Sequence, residues 1–260
     1  MNVYIWTSGV LKNAYIGERW SPDTSRTLLY LKFENNTNDS SWNNVSVSSA
    51  GVWYWTIWNK KYVEMTWTSS TTYIKPNQTL ENQIGAWDFT VSFFIRPVST
   101  NSWSTNGNWP LVFWFWYGKS QPYEWLQIQF NYYGISYSSP SIPAISNKVI
   151  IRTWSLNYSK PYTVFDTNFS SLVWSWHHIV VTRINWVVYC YLDWWVEKKT
   201  FNYNWSFNCD SFYILNRNDY TWQAWSSPWA RMSEVIFEKV WWTEAEVSNY
   251  FDLIKSNYWL

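Results

Sequence analysis

Apolar and polar residues alternate along most of the chain with the period of a β-strand. The alternating segments are rich in β-branched and aromatic residues, and clusters of Asn, Ser, Thr, Gly and Pro separate them. No helical pattern that would serve as a crossover lies between them, which excludes a parallel α/β fold. The pattern therefore predicts an all-β, two-sheet antiparallel sandwich. The predicted strands are 28–34, 61–66, 71–76, 88–97, 110–118, 124–133, 147–153, 177–184, 187–193, 211–217 and 232–240.

One segment, residues 243–256, has helical spacing instead. Thr243 is followed three residues later by Glu246, which is the capping-box pattern of a helix start. An apolar stripe at positions three and four apart follows it. We therefore expect a short C-terminal helix that packs on the sandwich through Val247, Tyr250, Phe251 and Ile254.

The first 27 residues differ in character from the rest and end in a stretch rich in Ser, Pro, Asp and Thr. They predict an N-terminal arm and linker at 1–27, followed by one domain at 28–260 that includes the helix. The N-terminus has no recognisable signal peptide. No uninterrupted apolar run approaches about 18 residues, so membrane insertion is not expected.

Charge and cysteine content exclude some classes of function. Lys and Arg number 19 against 18 Asp and Glu, for a net charge of +1, and no basic stripe is present, so a nucleic-acid partner is not expected. Cys190 and Cys209 are too few for a zinc site. They are either a disulfide across neighbouring strands or two buried thiols.

The chain holds 26 Trp and only 7 Gly, and several tryptophans stand where a turn would favour glycine. Trp186 follows Asn185, Trp194 follows Asp193 and Trp205 follows Asn204. Two-residue hairpin turns of type I′ need positive φ, which glycine adopts without the steric penalty of other residues. We interpret many tryptophans as glycine positions, in a lineage or phage that reads UGA as glycine. If tryptophan does occupy them, strained turns and exposed indoles are expected at 186, 194 and 205.

The segment SWHHIVVTRINWVVYCYLDWWVEK, at 175–198, resembles the laminin-G-like, concanavalin A-like lectin/glucanase superfamily. Three further segments resemble other parts of that fold in the same order, at 28–44, 88–97 and 229–247. The resemblance spans about residues 28–256 and implies a jelly-roll sandwich. It also implies non-enzymatic binding of a glycan or another host or cell-surface ligand.

Sugar binding needs exposed aromatic rings with amide groups near them. The aromatic candidates and their amide neighbours lie in loops or at strand ends around 103–137. The predicted ligand-binding residues are Trp109, Tyr117, Tyr123, Tyr133, Asn108, Gln121 and Asn131.

Two other kinds of site follow from the resemblance. Some glucanases of the superfamily carry their catalytic carboxylates on one strand, and Glu234 and Glu238 are candidates for such a pair, although a helper carboxylate between them is missing. Related jelly rolls often bind Ca²⁺, and the loop at 35–40 offers Asp39 and Asn38 as oxygen ligands. Glycoside hydrolysis is thus the enzymatic alternative to binding.

Residues 3–18 are similar to N-terminal arms of phage-like structural or adhesion proteins. This similarity implies a phage-like tail or cell-surface protein, located outside the cell or on a virion surface. The arm would then mediate homo-oligomer or virion assembly. A purely structural assembly module is the third alternative.

Overall fold

The structure is a computed structural model. It describes residues 2–7, 10–15, 26–57, 60–65, 73–76, 88–98, 111–116, 125–131, 135–138, 141–145, 147–154, 162–203, 211–214 and 230–258. In chain order the strands are β1 (Asn2–Thr7), β2 (Val10–Tyr15), β3 (Thr27–Leu31), β4 (Val47–Ala50), β5 (Trp53–Ile57), β6 (Lys60–Met65), β7 (Tyr73–Pro76), β8 (Phe89–Pro97), β9 (Leu111–Trp116), β10 (Trp125–Asn131), β11 (Ile135–Ser138), β12 (Ser141–Ile145), β13 (Lys148–Trp154), β14 (Tyr162–Asn168), β15 (His177–Ile184), β16 (Val187–Leu192), β17 (Glu197–Asn202), β18 (Ser211–Ile214) and β19 (Ala230–Glu238). The helices are α1 (Phe169–Leu172) and α2 (Glu244–Ile254), with a 3₁₀ turn at Lys255–Asn257.

Two large antiparallel sheets form the fold. One sheet has seven strands in the order β14-β13-β10-β9-β18-β7-β4, and the other has eight strands, with β17-β16-β15-β8-β19-β6-β5 in a row and β3 paired to β19. Two separate hairpins, β1-β2 and β11-β12, complete the described strands. The chain is therefore an all-β, two-sheet antiparallel sandwich with a short C-terminal helix, as the sequence predicts.

The main core lies between the two sheets. It forms because alternate side chains of each strand point to the same face, so the apolar half of each strand meets the apolar half of the other sheet. Fully buried members come from central strands of both sheets, including Val91, Phe93, Leu126, Ile128 and Ile151.

A second apolar cluster lies on the outer face of the eight-stranded sheet, where α2 packs. Val247, Tyr250 and Ile254 of the helix contact the outward residues of the sheet, among them Phe94 and Val180. We call this surface the helix-covered face. The predicted capping box is confirmed, because Thr243 Oγ1 accepts from the Glu246 amide at 3.1 Å and the Glu246 carboxylate accepts from the Thr243 amide at 2.8 Å.

Strand β19 contains a β-bulge that changes which residues face outward. Ser233 pairs with Phe94 and Ile236 pairs with Ser92, so two residues of β19 lie opposite one residue of β8. Glu234, the first of the two, has φ 53°, the left-handed conformation that glycine adopts at this position of a G1 bulge. The inserted residue keeps Val235 in the main core while Ser233 stays on the helix-covered face.

One side of the sandwich is closed by contacts between the edge strands β14 and β17. The Glu197 carboxylate accepts from the amides of Asp166 and Thr167, the latter at 3.0 Å, and from Thr167 Oγ1 at 3.0 Å. Lys199 Nζ lies 2.7 Å from Asp166 Oδ2 and 3.2 Å from Glu197 Oε1. The edge amides of β14 are thus satisfied by side chains of the opposite sheet.

The turns at the suspected glycine positions have the expected geometry. Asn185 and Trp186 have φ 49° and 67°, and Asp193 and Trp194 have φ 48° and 52°. The exposed indole expected at 186 is confirmed, with Trp186 42% exposed. The expectation is wrong at 194, because the Trp194 side chain is half-buried against the helix-covered face. Trp205 lies outside the described residues.

None of the helices in the described part of the chain is long and apolar enough to cross a membrane. Cys190 is a free thiol in the main core, and burial raises its pKa well above the usual value. Cys209 lies outside the described residues.

Candidate ligand-binding face

The outer face of the seven-stranded sheet carries polar side chains beside apolar ones such as Ile150 and Val164. Leu126 and Ile128 of β10 point into the main core, so Gln127 between them points away from it. By the same alternation Arg152 of β13 and Tyr213 of β18 lie on the outer side. We call this surface the polar face.

The strand register brings these side chains into a row. Gln127 pairs with Arg152, and Arg152 pairs with Tyr162 of β14. Directly paired residues share a face of an antiparallel sheet and lie close enough for their side chains to interact. The row therefore combines an amide, a guanidinium and a phenol from three adjacent strands.

Gln127 and Arg152 form a buried hydrogen-bonded pair. Arg152 Nε donates to Gln127 Oε1 at 2.6 Å, and the two residues are 1% and 5% exposed. Within the described part of the chain, Gln127 Nε2 has no acceptor. A buried amide donor without a partner carries a desolvation penalty that a ligand oxygen would remove. The pair is therefore a buried polar anchor in which one amide donor lacks an acceptor among the described residues.

Tyrosine rings lie at both sides of this pair. Tyr213 is 4% exposed, its ring centroid is 6.4 Å from that of Tyr73 in an edge-to-face arrangement, and Lys75 Nζ lies 5.2 Å from the Tyr213 centroid. Tyr162, on the edge strand β14, is 36% exposed. An aromatic ring offers an apolar face and a polar tip. The polar face thus has the two kinds of group that bind a sugar, planar hydrogen-bonding side chains and aromatic rings.

Six of the predicted ligand-binding residues lie outside the described residues, and only the backbone of the seventh, Asn131 at the end of β10, is described. By sequence the other six flank β9 and β10, two adjacent central strands of the sheet that carries the polar face. They stay a prediction. They are Asn108, Trp109, Tyr117, Gln121, Tyr123 and Tyr133.

Glu234 and Glu238, the two carboxylates that glycoside hydrolysis would require, are buried on the side of the eight-stranded sheet. Glu234 is 4% exposed and accepts a hydrogen bond from the Tyr30 hydroxyl. Glycoside hydrolysis requires both carboxyl groups to face the substrate, with room for water. Glu234 instead anchors its bulge to Tyr30.

Glu238 is fully buried. It accepts from Trp242 Nε1 at 2.6 Å and from Thr27 Oγ1 at 3.0 Å, and it lies 3.1 Å from Arg26 Nε in an ion pair that lacks hydrogen-bond alignment. Burial raises the pKa of Glu238, although the hydrogen bond from Trp242 and the charge of Arg26 oppose the shift. These contacts give Glu238 the role of fixing the chain between β19 and α2.

Asp39, one of the two predicted calcium ligands, holds a loop in place through hydrogen bonds to the protein itself. Its Oδ1 accepts from the amides of Tyr30 and Ser41, both at 2.8 Å, and its Oδ2 accepts from Ser41 Oγ at 2.5 Å and from the Val45 amide at 2.8 Å. Asn38 is exposed, and its amide donates to Asn36 Oδ1. Among the described residues, no group of three or more His, Cys, Asp or Glu side chains is arranged to hold a metal ion. A calcium site at Asp39 and Asn38 stays a prediction.

The adjacent histidines of β15 separate as strand alternation requires. His178 lies on the helix-covered face, stacked on Phe94 at 4.4 Å, with Nε2 2.7 Å from Ser92 Oγ. Full burial lowers its pKa to about 3, so the ring is neutral near pH 7. His177 Nδ1 lies 2.7 Å from Asp193 Oδ2, and its Nε2 lies 3.0 Å from the Leu172 carbonyl oxygen. These contacts join α1 to the turn after β16.

No family model matches the chain, and no curated protein matches it either. Solved structures do share its fold. The binding domain of Paraclostridial Mosquitocidal Protein 1 is 16% identical, with 88% of this chain and 52% of that chain covered and a TM-score of 0.62. The botulinum neurotoxin serotype G binding domain is 14% identical, with coverages of 88% and 51% and a TM-score of 0.64.

The botulinum neurotoxin serotype D ligand-binding domain, solved in complex with N-acetylneuraminic acid, is 15% identical, with coverages of 88% and 51% and a TM-score of 0.61. The chain thus spans about half the length of these solved domains. At these identities the likeness establishes the fold, a β-sandwich that occurs in toxin binding domains.

Proposed function

We propose that the chain is a non-enzymatic module that binds a carbohydrate on its polar face. The observation that carries this proposal is the Gln127–Arg152 pair, a buried amide with an unused donor held next to a guanidinium. Tyr162 supplies exposed aromatic surface on one side of it, and the buried Tyr213 lies on the other. The solved binding domains of the same fold, one of them in complex with a sugar acid, are consistent with ligand binding as the task.

The substitution Gln127→Glu tests the proposal most directly. Glutamate keeps the oxygen that accepts from Arg152 and removes only the Nε2 donor, so the fold is expected to be kept or strengthened by a charge-assisted bond. We expect loss of binding on a glycan array and in titration calorimetry, at an unchanged or raised melting temperature. A variant that binds its glycan as the unmodified chain does would overturn the assignment to this face.

The enzymatic alternative is tested by a reducing-sugar release assay on the same glycans. We expect no release, because Glu234 and Glu238 are enclosed by donors of the protein itself. Release that the variant Glu238→Gln abolishes would replace the binding proposal with glycoside hydrolysis.

The biological setting is proposed on the sequence alone. The laminin-G-like resemblance of the domain and the phage-like resemblance of residues 3–18 favour a module of a virion, tail or cell-surface protein, which assembles through the arm at 1–27. Neighbouring genes for tail or baseplate proteins would support this setting. A cluster of unrelated metabolic genes would argue against it.

We also propose that Trp186 and Trp194 stand at glycine positions of the native protein. The positive φ angles at both residues support this, because a bulky residue is rare in that conformation. Trp174, at φ 72° and 58% exposed, is a further candidate of the same kind. The codons decide the question: UGA at these positions and a correspondingly lower intact mass of native protein support glycine, and UGG codons exclude it.

A further inference from the structure

Part of the outer face of the eight-stranded sheet extends beyond the helix. The register aligns four residues across four strands there: Trp53 of β5 pairs with Glu64 of β6, Glu64 pairs with Arg231 of β19, and Arg231 pairs with Arg96 of β8. All four side chains share the outer face, because their strand neighbours Tyr54, Val63, Met232 and Ile95 pack in or against the main core.

Only one of the two arginines of this row is paired with a carboxylate. Arg231 Nε donates to Glu64 Oε2 at 2.9 Å, and the Arg231 guanidinium carbon lies 5.1 Å from the centroid of the Tyr62 ring. Arg96 Nε donates to the Trp174 carbonyl oxygen at 2.9 Å, and no carboxylate pairs with Arg96 among the described residues. Two guanidinium groups therefore face one anion, which leaves an excess positive charge.

This excess charge lies in a partly desolvated place. Burial lowers the pKa of Arg96, and the nearby positive charge of Arg231 lowers it further. Arg231 is 21% exposed at its side chain, and Glu64 is 8% exposed. Because water screens the two cations incompletely, a second anion between them would relieve their repulsion.

Aromatic rings border the arginine pair. Tyr62 and the half-buried Trp176 meet edge to face, with ring centroids 5.9 Å apart. A guanidinium matches a planar carboxylate with two parallel hydrogen bonds, and aromatic rings pack against apolar surface of a ligand. We propose that Arg96 and Arg231 form a second binding site, which takes the carboxylate of an acidic sugar of the uronic acid class. The choice of a sugar as the carrier of the carboxylate rests on the proposed function, whereas the anion site does not.

The test uses titration calorimetry of the full chain with an oligoglucuronate and with the matched neutral oligoglucose. We expect Arg96→Gln and Arg231→Gln each to weaken oligoglucuronate binding by at least about tenfold. Lys198→Gln is the matched control, because it removes one positive charge from the same sheet on the distant strand β17, where Lys198 lies over Tyr191. It should leave binding unchanged.

A second variant gives an effect of opposite sign, which a folding defect does not mimic. Glu64→Gln removes the internal anion that competes for the arginine pair, so oligoglucuronate should bind more tightly and the salt dependence of binding should become steeper. Inorganic sulfate at equal concentration should compete only weakly.

Three results would overturn the site: equal binding of the neutral oligoglucose, wild-type affinity in folded Arg96→Gln, or displacement by sulfate as effective as by oligoglucuronate. Gln127→Glu separates the two proposals, since it lies on the opposite outer face. Loss of neutral glycan binding in that variant, with oligoglucuronate binding kept, supports both sites. Oligoglucuronate binding that depends on Gln127 and not on the arginines would remove this second site and leave the polar face.

Discussion

The two outer faces of the sandwich differ in the side chains that they carry. The helix-covered face is apolar, and α2 packs on it through Tyr250 and Ile254. The polar face carries Gln127 and Arg152, which are buried yet hydrogen-bonded to each other. In one case the sheet contributes apolar area that stabilises the fold, and in the other it holds polar groups whose desolvation opposes folding. A surface kept polar at such a cost is the better candidate for ligand binding.

Truncation of Trp242, an aromatic residue of the helix-covered face, should have the largest effect on the free energy of unfolding. Trp242 is 2% exposed, packs against Tyr250 and donates to the buried Glu238 carboxylate. Trp242→Ala is expected to lower the free energy of unfolding by about 3–5 kcal/mol, because it leaves a cavity and removes one donor to Glu238.

Chemical denaturation measures this effect, and the adjacent Trp241→Ala is the matched control. Trp241 is 36% exposed, so its truncation should change the free energy of unfolding far less. Equal losses in the two variants would show that the helix-covered face is not the stabilising one.

A change of pH is expected to have an intermediate effect on the free energy of unfolding. The folded-state pKa of His178 is about 3, below its ordinary value of 6.5, so the unfolded chain binds more protons between these values. Stability from this residue is complete above about pH 6.5 and is lost as pH falls, by about 2 kcal/mol at pH 5.

Unfolding free energies measured between pH 7.5 and 5 for the unmodified chain and for His178→Gln isolate this contribution, because glutamine does not titrate. The two profiles should converge as pH falls. Parallel profiles would mean that solvent reaches His178 and that α2 does not seal this face.

The smallest effect on stability is expected at the polar face. Tyr162→Ala should change the free energy of unfolding by less than about 0.5 kcal/mol, since the side chain lies on an edge strand and is 36% exposed. Glycan affinity should fall, while Tyr162→Phe, which keeps the ring, should retain most of it. A large stability loss with unchanged affinity would reverse the roles given to the two faces.

The sequence predicts the central strands and the helix because their signals are local. The period-two apolar pattern identifies β8, β15, β16 and β19, and Thr243 with Glu246 marks the start of α2. The pattern does not predict the edge strands β4, β5, β14 and β17, nor the separate hairpins β1-β2 and β11-β12. In β17 the outward positions are polar or charged, as in EKKTFN at 197–202, so the apolar alternation fades at that edge.

The candidate sites depend on register, which the sequence does not contain. The alternation in WLQIQF, at 125–130, predicts that Gln127 points away from the main core. Its hydrogen-bond partner Arg152 lies 25 residues away in the chain, so the alternation alone does not predict the pair. Arg96 and Arg231 are separated by a still longer stretch of chain and become neighbours only when β8 pairs with β19. The inserted bulge residue Glu234 also breaks the simple alternation on which a prediction of facing residues rests.

The buried thiol of Cys190 allows separation of the two sheets to be followed by chemical labelling. Its side chain is enclosed in the main core, and its raised pKa keeps it protonated and unreactive in the folded chain. In a Cys209→Ser background, alkylation would therefore proceed only through molecules whose two sheets have separated. The labelling rate then measures how often the two sheets separate. A ligand that bridges strands of either sheet should lower this rate.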